Sequence, residues 1–370
     1  MRCISRITLR PRHVKTNPQG LRWTISGDLN RGNTGAIEAQ ASCAGLIAAP
    51  PLQPTVPVRD LTADFLRATT SAAAAAYGWV GKGDGKAADG AAVEAMRDVF
   101  DTIPFDGRVA IGEGERDDAP MLWIGEPLGS SQGLENAQMI DIAVDPLECT
   151  NHVANDLPNA MAVLAAAPRG ALLHAPDCYM DKIAGPSILK GEISLEGSAQ
   201  YNIEATSHVL DRPISDLTVV VMDRPRHTDL ISRIEGIGAK VRLIGDGDIA
   251  AALDAADPDS NTDLLMGIGA APEGVITATA LRGLDAPFEG RLVTTTKDHQ
   301  ERALKMVGDR IDDIWDRDEL CASSDAVYIG SGVCPGRVPG VRKNQEGNMI
   351  VTSEIIDVKT STRSILESTL

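Results

Sequence analysis

The sequence predicts an α/β protein, because apolar runs typical of buried strands alternate with segments of helical periodicity. The alternation is clearest in the second half of the chain. There the predicted strands are Leu217–Met222, Lys240–Ile244 and Asp263–Gly267, and the predicted helices are Asp229–Ile237, Ile249–Ala256 and Glu273–Leu281. This βαβαβ spacing predicts a parallel sheet with right-handed crossover connections.

The first half of the chain follows the same pattern with fewer elements. Leu61–Tyr77 and Ala91–Phe100 are predicted as alanine-rich helices, and Val109–Ile111, Met139–Val144 and Ala160–Ala167 as strands. With 370 residues and 43% hydrophobic content, the chain can bury one large core or two modest ones.

Composition limits the partners of the protein. A net charge of −17 argues against nucleic acid as a ligand. No apolar run approaches the length of a membrane span, so no membrane partner is expected. A protein this acidic that binds a polyanionic ligand has to gather local positive charge from metal ions and a few basic side chains. The six cysteines show no metal-type spacing, which predicts free thiols in a reducing compartment.

The N-terminal segment Met1–Pro57 differs from the rest of the chain. It is rich in Arg, Ser and Thr, poor in acidic residues and closed by several prolines. This composition is typical of an organelle transit peptide, and the alternatives are a disordered tail or a misassigned start codon. We therefore exclude it from the fold, and expect a plastid location if it is a transit peptide and a cytoplasmic one otherwise.

The most informative motif is Asp145-Pro146-Leu147-Glu148-Cys149-Thr150. We expect the preceding strand to end at Asp145 and Pro146 to begin a helical turn, which would place Asp145 and Glu148 on one side of that turn. Convergent carboxylates are hard ligands that suit Mg²⁺ or Mn²⁺ better than zinc. Taken alone, the motif is equally consistent with a helix cap flanked by solvated acids.

Acidic residues recur in three other predicted loops: Gly81–Asp89 ahead of a helix that starts at Gly90, Ile111–Asp118, and Gly267–Gly274. Each segment alone could be an ordinary loop. Their recurrence after predicted strands indicates carboxylates that crowd together and need cations to neutralise them. The pattern therefore predicts a multi-metal phosphoryl-transfer site.

Several long motifs in the same order make the chain resemble the class II fructose-1,6-bisphosphatases, most closely the cyanobacterial-type branch that also cleaves sedoheptulose 1,7-bisphosphate. The motifs are Ala88-Asp89-Gly90, Ile111–Leu122 (IGEGERDDAPML), Asp141–Thr150 (DIAVDPLECT), Ala175–Lys182 (APDCYMDK), Val219–His227 (VVVMDRPRH), Val241–Asp248 (VRLIGDGD) and Leu265–Ile276 (LMGIGAAPEGVI). The resemblance covers about Val58 to Gly340. It implies a layered αβαβα sugar-phosphatase fold of the lithium-sensitive phosphatase type, and a homo-oligomer. The active site would lie between a metal-binding sub-domain, 58–210, and a substrate-binding sub-domain, 211–370.

The resemblance also implies roles for individual residues. Metal ligands would be Asp89, Glu113, Asp145, Glu148 and Glu273, and catalytic residues would be Lys86, Asp117 and Thr150. Substrate contacts would come from Glu148, Cys149, Thr150, Tyr179, Arg224, Pro225, Arg226, Asp246, Gly247, Asp248 and Ala270. Without the resemblance, the two arginines would be ordinary surface ion-pairing residues, the Asp-Gly-Asp segment a plain turn and Tyr179 a half-buried aromatic residue.

Three features depart from the family pattern, two of them single positions and one a shortened segment. Cys149 stands where the family has glycine, and Gly85 stands where it has lysine, with Lys86 one place later. The chain from Thr294 onwards is shorter than in the family. The expected activity is metal-dependent hydrolysis of the 1-phosphate of fructose 1,6-bisphosphate, and of sedoheptulose 1,7-bisphosphate, in gluconeogenesis or the Calvin cycle. The alternatives are an inositol- or nucleotide-type phosphatase of the same architecture and a catalytically impaired sugar-phosphate-binding paralogue.

Overall fold

The computed structural model describes residues 57–112, 122–176 and 178–370. Its helices are α1 Thr62–Tyr77, α2 Gly85–Phe100, α3 Thr150–Asn155, α4 Ala199–Leu210, α5 Thr228–Ile237, α6 Asp248–Ala256, α7 Ala271–Gly283, α8 Lys297–Val307 and α9 Arg317–Leu320. Its strands are β1 Asp106–Ile111, β2 Pro127–Leu128, β3 Met139–Glu148, β4 Met161–Pro168, β5 Tyr179–Ala184, β6 Thr218–Met222, β7 Lys240–Ile244, β8 Leu264–Ala270, β9 Phe288–Val293, β10 Ile314–Asp316, β11 Val327–Gly332, β12 Arg342–Lys343, β13 Met349–Asp357 and β14 Thr362–Thr369.

The strands form two sheets, and the helices form three layers around them. Sheet one has eight strands, in the order β12-β13-β11-β4-β3-β1-β2, with β14 on the free side of β13. Sheet two has six, in the order β10-β9-β5-β8-β6-β7. Helices α1 and α2 cover one face of sheet one, α6 and α7 fill the space between the sheets, and α4 and α5 cover the outer face of sheet two. The expected αβαβα layering is therefore confirmed.

The expectation of a parallel sheet is correct only in part. Strands β6, β7 and β8 are parallel and are joined by the crossover helices α5 and α6. Strands β5, β9 and β10 join the same sheet antiparallel. In sheet one, β1 and β3 are parallel and the other pairs are antiparallel. An apolar run indicates that a strand is buried. It does not indicate the direction of the strand relative to its neighbours, which depends on the segments that connect them.

Two predicted boundaries near the acidic motifs are wrong. Helix α2 begins at Gly85 rather than after Asp89, because the Asp84 side chain caps it by accepting a hydrogen bond from the Ala87 N–H at 2.9 Å. Strand β3 continues through Pro146 to Glu148, so Pro146 does not begin a helical turn. A β-bulge accommodates the proline within the strand.

Two expectations stay as they were. The division into sub-domains at residue 210 remains a prediction, and the segment Met1–Pro57 lies, except for its last residue, outside the described part of the chain. Among the residues that the structure describes, no helix has both the length and the apolar character needed to cross a membrane.

Candidate active site

The end of β3 brings two acidic side chains to the same side of the sheet. Residues three apart on a regular strand point to opposite faces. Here Asp145 is opposite Val163 and Glu148 is opposite Met161, so three residue steps on β3 match two on β4. The extra residue of this bulge turns Glu148 back to the side of Asp145. Both side chains are buried, and the Asp145 carboxylate accepts a hydrogen bond from the Leu147 N–H at 2.9 Å.

A third carboxylate comes from the first turn of α7. Glu273 follows Pro272 at the start of that helix, where the missing proline N–H costs no hydrogen bond. One carboxylate oxygen each from Asp145, Glu148 and Glu273 lie within 4.8 Å of one another. The structure therefore joins acids that are 125 residues apart in the sequence (273 − 148).

Helix α2 contributes the fourth acid. Asp89 lies close enough to Asp145 for the charge of Asp145 to raise its pKa. One oxygen of Asp89, Oδ1, is buried without a hydrogen-bond partner. Lys86 is one helical turn earlier on the same side of α2 and is exposed to solvent.

The four carboxylates resist ionisation as they stand. Burial and the charge of Asp145 raise the pKa of Asp89 to about 6. Burial raises the pKa of Glu273 to about 8, against the opposing effect of Lys182. Burial and Asp145 raise the pKa of Glu148 well above its ordinary value, and burial raises that of Asp145. Such a set is stabilised as carboxylates only by a neighbouring positive charge.

These residues fit a divalent cation. The cluster offers only oxygen ligands, which Mg²⁺ and Mn²⁺ prefer. Glu273 Oε2, like Asp89 Oδ1, is buried without a hydrogen-bond partner. Two buried acceptor atoms without partners, in a group of carboxyls with raised pKa values, are typical of residues that bind a cation.

Residue 149 adopts the backbone conformation that favours glycine. Cys149 has φ 67° and ψ 52°, in the left-handed region, and it links the end of β3 to the first residue of α3, Thr150. Its side chain is buried, and a Cβ built on Gly247 would lie 3.1 Å from its Sγ. The cysteine is therefore accommodated because its neighbour has no side chain.

The loop between β7 and α6 lies against this junction and carries Asp246, Gly247 and Asp248. Gly247 has φ 88°, and Asp248 is the buried first residue of α6. The Nζ of Lys182, on β5, donates a hydrogen bond to Asp248 Oδ2 at 2.6 Å, and both side chains are buried. A Cβ on Gly269 would lie 1.9 Å from that carboxylate oxygen, so only glycine fits beside the pair.

A second group of predicted residues surrounds Tyr179, the first residue of β5. The Arg226 guanidinium lies over the Tyr179 ring at 4.8 Å from its centroid and donates hydrogen bonds to the Ile268 carbonyl at 2.8 and 3.1 Å. Ala270, the N-cap residue of α7, is opposite Tyr179 on the neighbouring strand. This register places the Arg226 side chain near the end of β8, the strand that leads into α7 and Glu273.

A buried histidine anchors the turn that carries Arg226. Arg224 is half-buried, Pro225 is exposed, and both belong to the short turn that follows β6. His227 is buried in that turn, with Nδ1 2.7 Å from the Met222 carbonyl and Nε2 2.8 Å from the Ile268 N–H. The carbonyl requires a donor at Nδ1 and the N–H an acceptor at Nε2, so the ring is neutral, consistent with a pKa lowered by burial.

Comparison with known proteins identifies the family. The model of the family described as bacterial fructose-1,6-bisphosphatase, glpX-encoded, matches residues 59–370. The chain belongs to this family. The resemblance to class II fructose-1,6-bisphosphatases is thereby confirmed.

Curated relatives are similar over most of their length. The D-fructose 1,6-bisphosphatase class 2/sedoheptulose 1,7-bisphosphatase of Synechococcus sp. (strain JA-3-3Ab) is 46% identical over 293 residues, 74% of this chain and 84% of the relative. The protein of the same name from Gloeobacter violaceus is 44% identical over 305 residues, 77% of this chain and 88% of the relative. That from Thermosynechococcus vestitus is 41% identical over 326 residues, 82% of this chain and 94% of the relative.

The structure brings most of the site residues predicted from the sequence into two neighbouring groups. The carboxylate group contains Asp89, Asp145, Glu148 and Glu273, with Cys149, Thr150 and the Asp246–Asp248 loop beside it. The Tyr179 group contains Arg226 and Ala270. Glu113 and Asp117 lie outside the described residues.

Sequence reasoning gave Lys182 no role, although a signal was present. Along β5 the side chains of Met180, Lys182 and Ala184 share one face, and all three are buried. A lysine in phase with apolar residues on a strand implies a buried charge, and a buried charge implies a partner. Asp248 is that partner, 66 residues further along the chain.

Gly85, the second position at which the resemblance implies a departure from the family, is closely packed. A Cβ built on Gly85 would lie 3.1 Å from the Thr150 carbonyl oxygen, because the first turns of α2 and α3 pack together. A lysine at position 85 would push against that backbone. The adjacent Lys86 is exposed and meets no such obstacle.

Proposed function

We propose that this chain is a metal-dependent phosphatase that hydrolyses the 1-phosphate of fructose 1,6-bisphosphate and of sedoheptulose 1,7-bisphosphate. The products are the sugar monophosphate and inorganic phosphate. The observation that carries the proposal is the convergence of Asp145, Glu148 and Glu273 within 4.8 Å, in a family described as fructose-1,6-bisphosphatases. The two sugars share the reacting end, which is why one site would accept both.

The cofactor of this reaction would be Mg²⁺ or Mn²⁺. Asp89, Asp145, Glu148 and Glu273 would hold it, with Glu113 from the segment outside the described residues. When bound, divalent cations neutralise charge on the transferred phosphoryl group and on the leaving oxygen. Phosphoryl transfer demands mainly positioning and neutralisation of charge, which a set of fixed carboxylates and cations can supply.

Three polar side chains would act directly on the reacting phosphate. The Thr150 hydroxyl, at the start of α3 and two residues after Glu148, would orient the attacking water. Lys86, exposed one turn before Asp89, would donate to a phosphoryl oxygen. Asp117 would assist from its loop.

The remote end of the substrate would be bound by the Tyr179 group. Guanidinium groups match phosphate oxygens in a two-pronged geometry, so Arg224 and Arg226 would bind the far phosphate. Tyr179 would pack against the sugar, and Asp246 and Asp248 would accept hydrogen bonds from its hydroxyls. Pro225, Gly247 and Ala270 would contact the substrate through their backbone groups.

Measured phosphate release tests this proposal. Purified protein is assayed with fructose 1,6-bisphosphate, sedoheptulose 1,7-bisphosphate and inositol 1-phosphate, each with Mg²⁺, with Mn²⁺ and with chelator. We expect release from both sugar bisphosphates, dependent on metal. Release from inositol phosphate alone would replace the proposal with the inositol-type alternative, which the named relatives do not favour.

A catalytically impaired paralogue would bind these sugars without turnover. Cys149, in the position where the family has glycine, is the feature that would block the site. Its accommodation against Gly247 supports an open site and a working enzyme. If the wild-type protein binds substrate without releasing phosphate while the Cys149→Gly variant releases it, the chain is the impaired form.

We also propose that Met1–Pro57 directs the protein to a plastid, where the reaction would serve the Calvin cycle. The segment is basic and acid-poor, and the family match begins only at residue 59. Its fusion to a fluorescent protein in a photosynthetic eukaryotic cell tests this. Cytoplasmic fluorescence would contradict it, and would leave gluconeogenesis as the setting.

A further inference from the structure

The ring of Tyr179 has a nitrogen-bearing side chain on each side. Its strand, β5, lies between β8 and β9, and Tyr179 is opposite Ala270 on β8 and Val293 on β9. Arg226, bonded to a carbonyl of β8, lies over the ring. From the side of β9, His299 of α8 approaches the same ring, with 6.4 Å between the ring centroids and 70° between the planes. Two side chains that can donate hydrogen bonds to an anion therefore flank Tyr179.

The connection between β9 and α8 fixes the place of His299. Strand β9 ends at Val293, opposite Tyr179, and α8 begins at Lys297. The Thr296 hydroxyl caps the helix by accepting a hydrogen bond from the His299 N–H at 3.1 Å. His299 therefore belongs to the first turn of α8, at the end of sheet two that carries Tyr179.

The imidazole of His299 presents a hydrogen-bond donor. Its Nδ1 lies 3.2 Å from the Thr295 hydroxyl, which can donate to it. In a neutral imidazole this bond places the ring proton on Nε2. Within the described part of the chain, Nε2 forms no hydrogen bond, and the side chain is half-buried rather than enclosed. The Nε2–H group is therefore available to a ligand bound beside Tyr179.

Two acids close to Tyr179 in the fold are neutralised by arginines. Asp298, in the first turn of α8, forms an ion pair with Arg302. Asp181, two residues along β5 from Tyr179, pairs with Arg291 at 3.4 Å. These pairs reduce the repulsion that a phosphate would meet in a protein of net charge −17.

We propose that His299 is a specificity-determining residue, which donates a hydrogen bond from Nε2 to the far phosphate of the substrate. It acts together with Arg226, on the other side of Tyr179. Only a bisphosphate carries this second phosphate group, so the contact favours bisphosphates over sugars phosphorylated at the reacting end alone. The inference rests on the proposed function, in which the Tyr179 group binds the remote end of the substrate.

Phosphatase kinetics test the contact. His299→Phe keeps an aromatic ring against Tyr179 but removes the donor. We expect its KM for fructose 1,6-bisphosphate to rise about tenfold, the effect of losing one hydrogen bond to a charged group, with kcat unchanged. The inhibition constant of fructose 1-phosphate, which lacks the far phosphate, should stay the same. His299→Gln, whose amide N–H can take the place of Nε2–H, should recover most of the affinity.

Two kinetic results would overturn the proposal. One is a KM of His299→Phe equal to that of the wild type. The other is an equal rise in the KM of the bisphosphate and in the inhibition constant of fructose 1-phosphate. That result would mean that His299 only positions Tyr179 against the sugar.

Calorimetry with Mg²⁺ present separates this inference from the proposed function. Fructose 6-phosphate carries the far phosphate but not the reacting one, so its dissociation constant does not depend on turnover. We expect this constant to rise about tenfold in His299→Phe. The control His208→Phe, which replaces an exposed histidine on α4, should not change it. Circular dichroism verifies that both variants fold.

The two failures are distinguishable. A wild-type protein that releases no phosphate contradicts the proposed function, while the calorimetric comparison still decides the role of His299. No binding of fructose 6-phosphate by the wild type, or the same dissociation constant in His299→Phe, would refute the contact.

Discussion

Lys182 and Asp248 form a buried ion pair, with 2.6 Å between Nζ and Oδ2, inside a group of carboxylates. Burial raises the pKa of Glu273, Lys182 opposes that rise, and Asp248 and Asp145 add to it. The lysine is thus a fixed positive charge that the protein itself supplies to the carboxylate group. It holds Asp248 at the start of α6, where the proposed sugar contacts are.

Replacing Lys182 should destabilise the protein strongly. Lys182→Met leaves Asp248 buried without its counter-charge, so the free energy of unfolding should fall by about 3–5 kcal/mol. Urea unfolding in the presence of chelator measures this. The control is Lys190→Met, which removes an ion pair to Asp285 whose side chains are 54% and 64% exposed and should cost at most about 1 kcal/mol. Equal losses of unfolding free energy in both variants would show that the buried ion pair stabilises the protein no more than the exposed one.

Glu148→Gln should separate activity from stability. Burial, Asp145 and Glu273 all disfavour the ionised form of Glu148, which the neutral glutamine cannot adopt, so the metal-free protein should unfold at the same or a higher urea concentration. Phosphate release should fall at least ~1000-fold, because a ligand of the cation is lost. Glu135→Gln makes the same chemical change at an exposed loop position and should alter neither property. Normal turnover in Glu148→Gln would contradict the proposed metal site.

The stability of the metal-free protein should decrease as the pH rises. The pKa of Asp89 is raised to about 6 and that of Glu273 to about 8, so between the unfolded-state values and these values the folded protein binds more protons than the unfolded one. Their contribution is complete below about pH 4 and is lost as the pH passes through about 6 and then about 8. Urea unfolding with chelator at several pH values measures it.

Two comparisons isolate this effect. In the Asp89→Asn/Glu273→Gln variant the decline should become shallower, while the contribution of His227, whose pKa is lowered, remains. Adding Mg²⁺ should stabilise the wild type most at high pH, because the cation requires ionised carboxylates. Metal-free stability that rises between about pH 5 and pH 8, and does so equally in the variant, would refute the interpretation.

The sequence predicts which acidic side chains come together better than it predicts the local structure that carries them. The spacing of Asp145 and Glu148, and their position at the end of an apolar strand, predict that they are partners. The predicted reason, a helical turn started by Pro146, is wrong, since a β-bulge aligns the two side chains instead. Bulges depend on pairing with a neighbouring strand, here β4, and a local sequence pattern does not contain that pairing.

Contacts between residues far apart in the sequence also explain the features that the sequence does not predict. The five-layer arrangement followed from family resemblance, not from periodicity, because an apolar run does not specify which helix covers it. The antiparallel strands β5 and β9 depend on partners far along the chain. The sequence shows Lys182 only as a charged residue on an apolar face of β5. The ion pair that explains its burial is formed with Asp248, which belongs to α6.

Position 149 should tolerate glycine better than a β-branched residue. Cys149 has φ 67°, a conformation that costs a residue with a Cβ roughly 1–2 kcal/mol. Cys149→Gly removes this cost but also the packing of the buried sulfur, so its free energy of unfolding should stay within about 1 kcal/mol of the wild type. Cys149→Val should lose more than about 2 kcal/mol and most of the phosphatase activity, because Glu148 and Thr150 flank it. Asp211, with φ 49° far from the carboxylate group, is the control. Asp211→Val should also lose stability yet keep its turnover, and a matching loss of turnover there would show that strain at position 149 is not specific to the site.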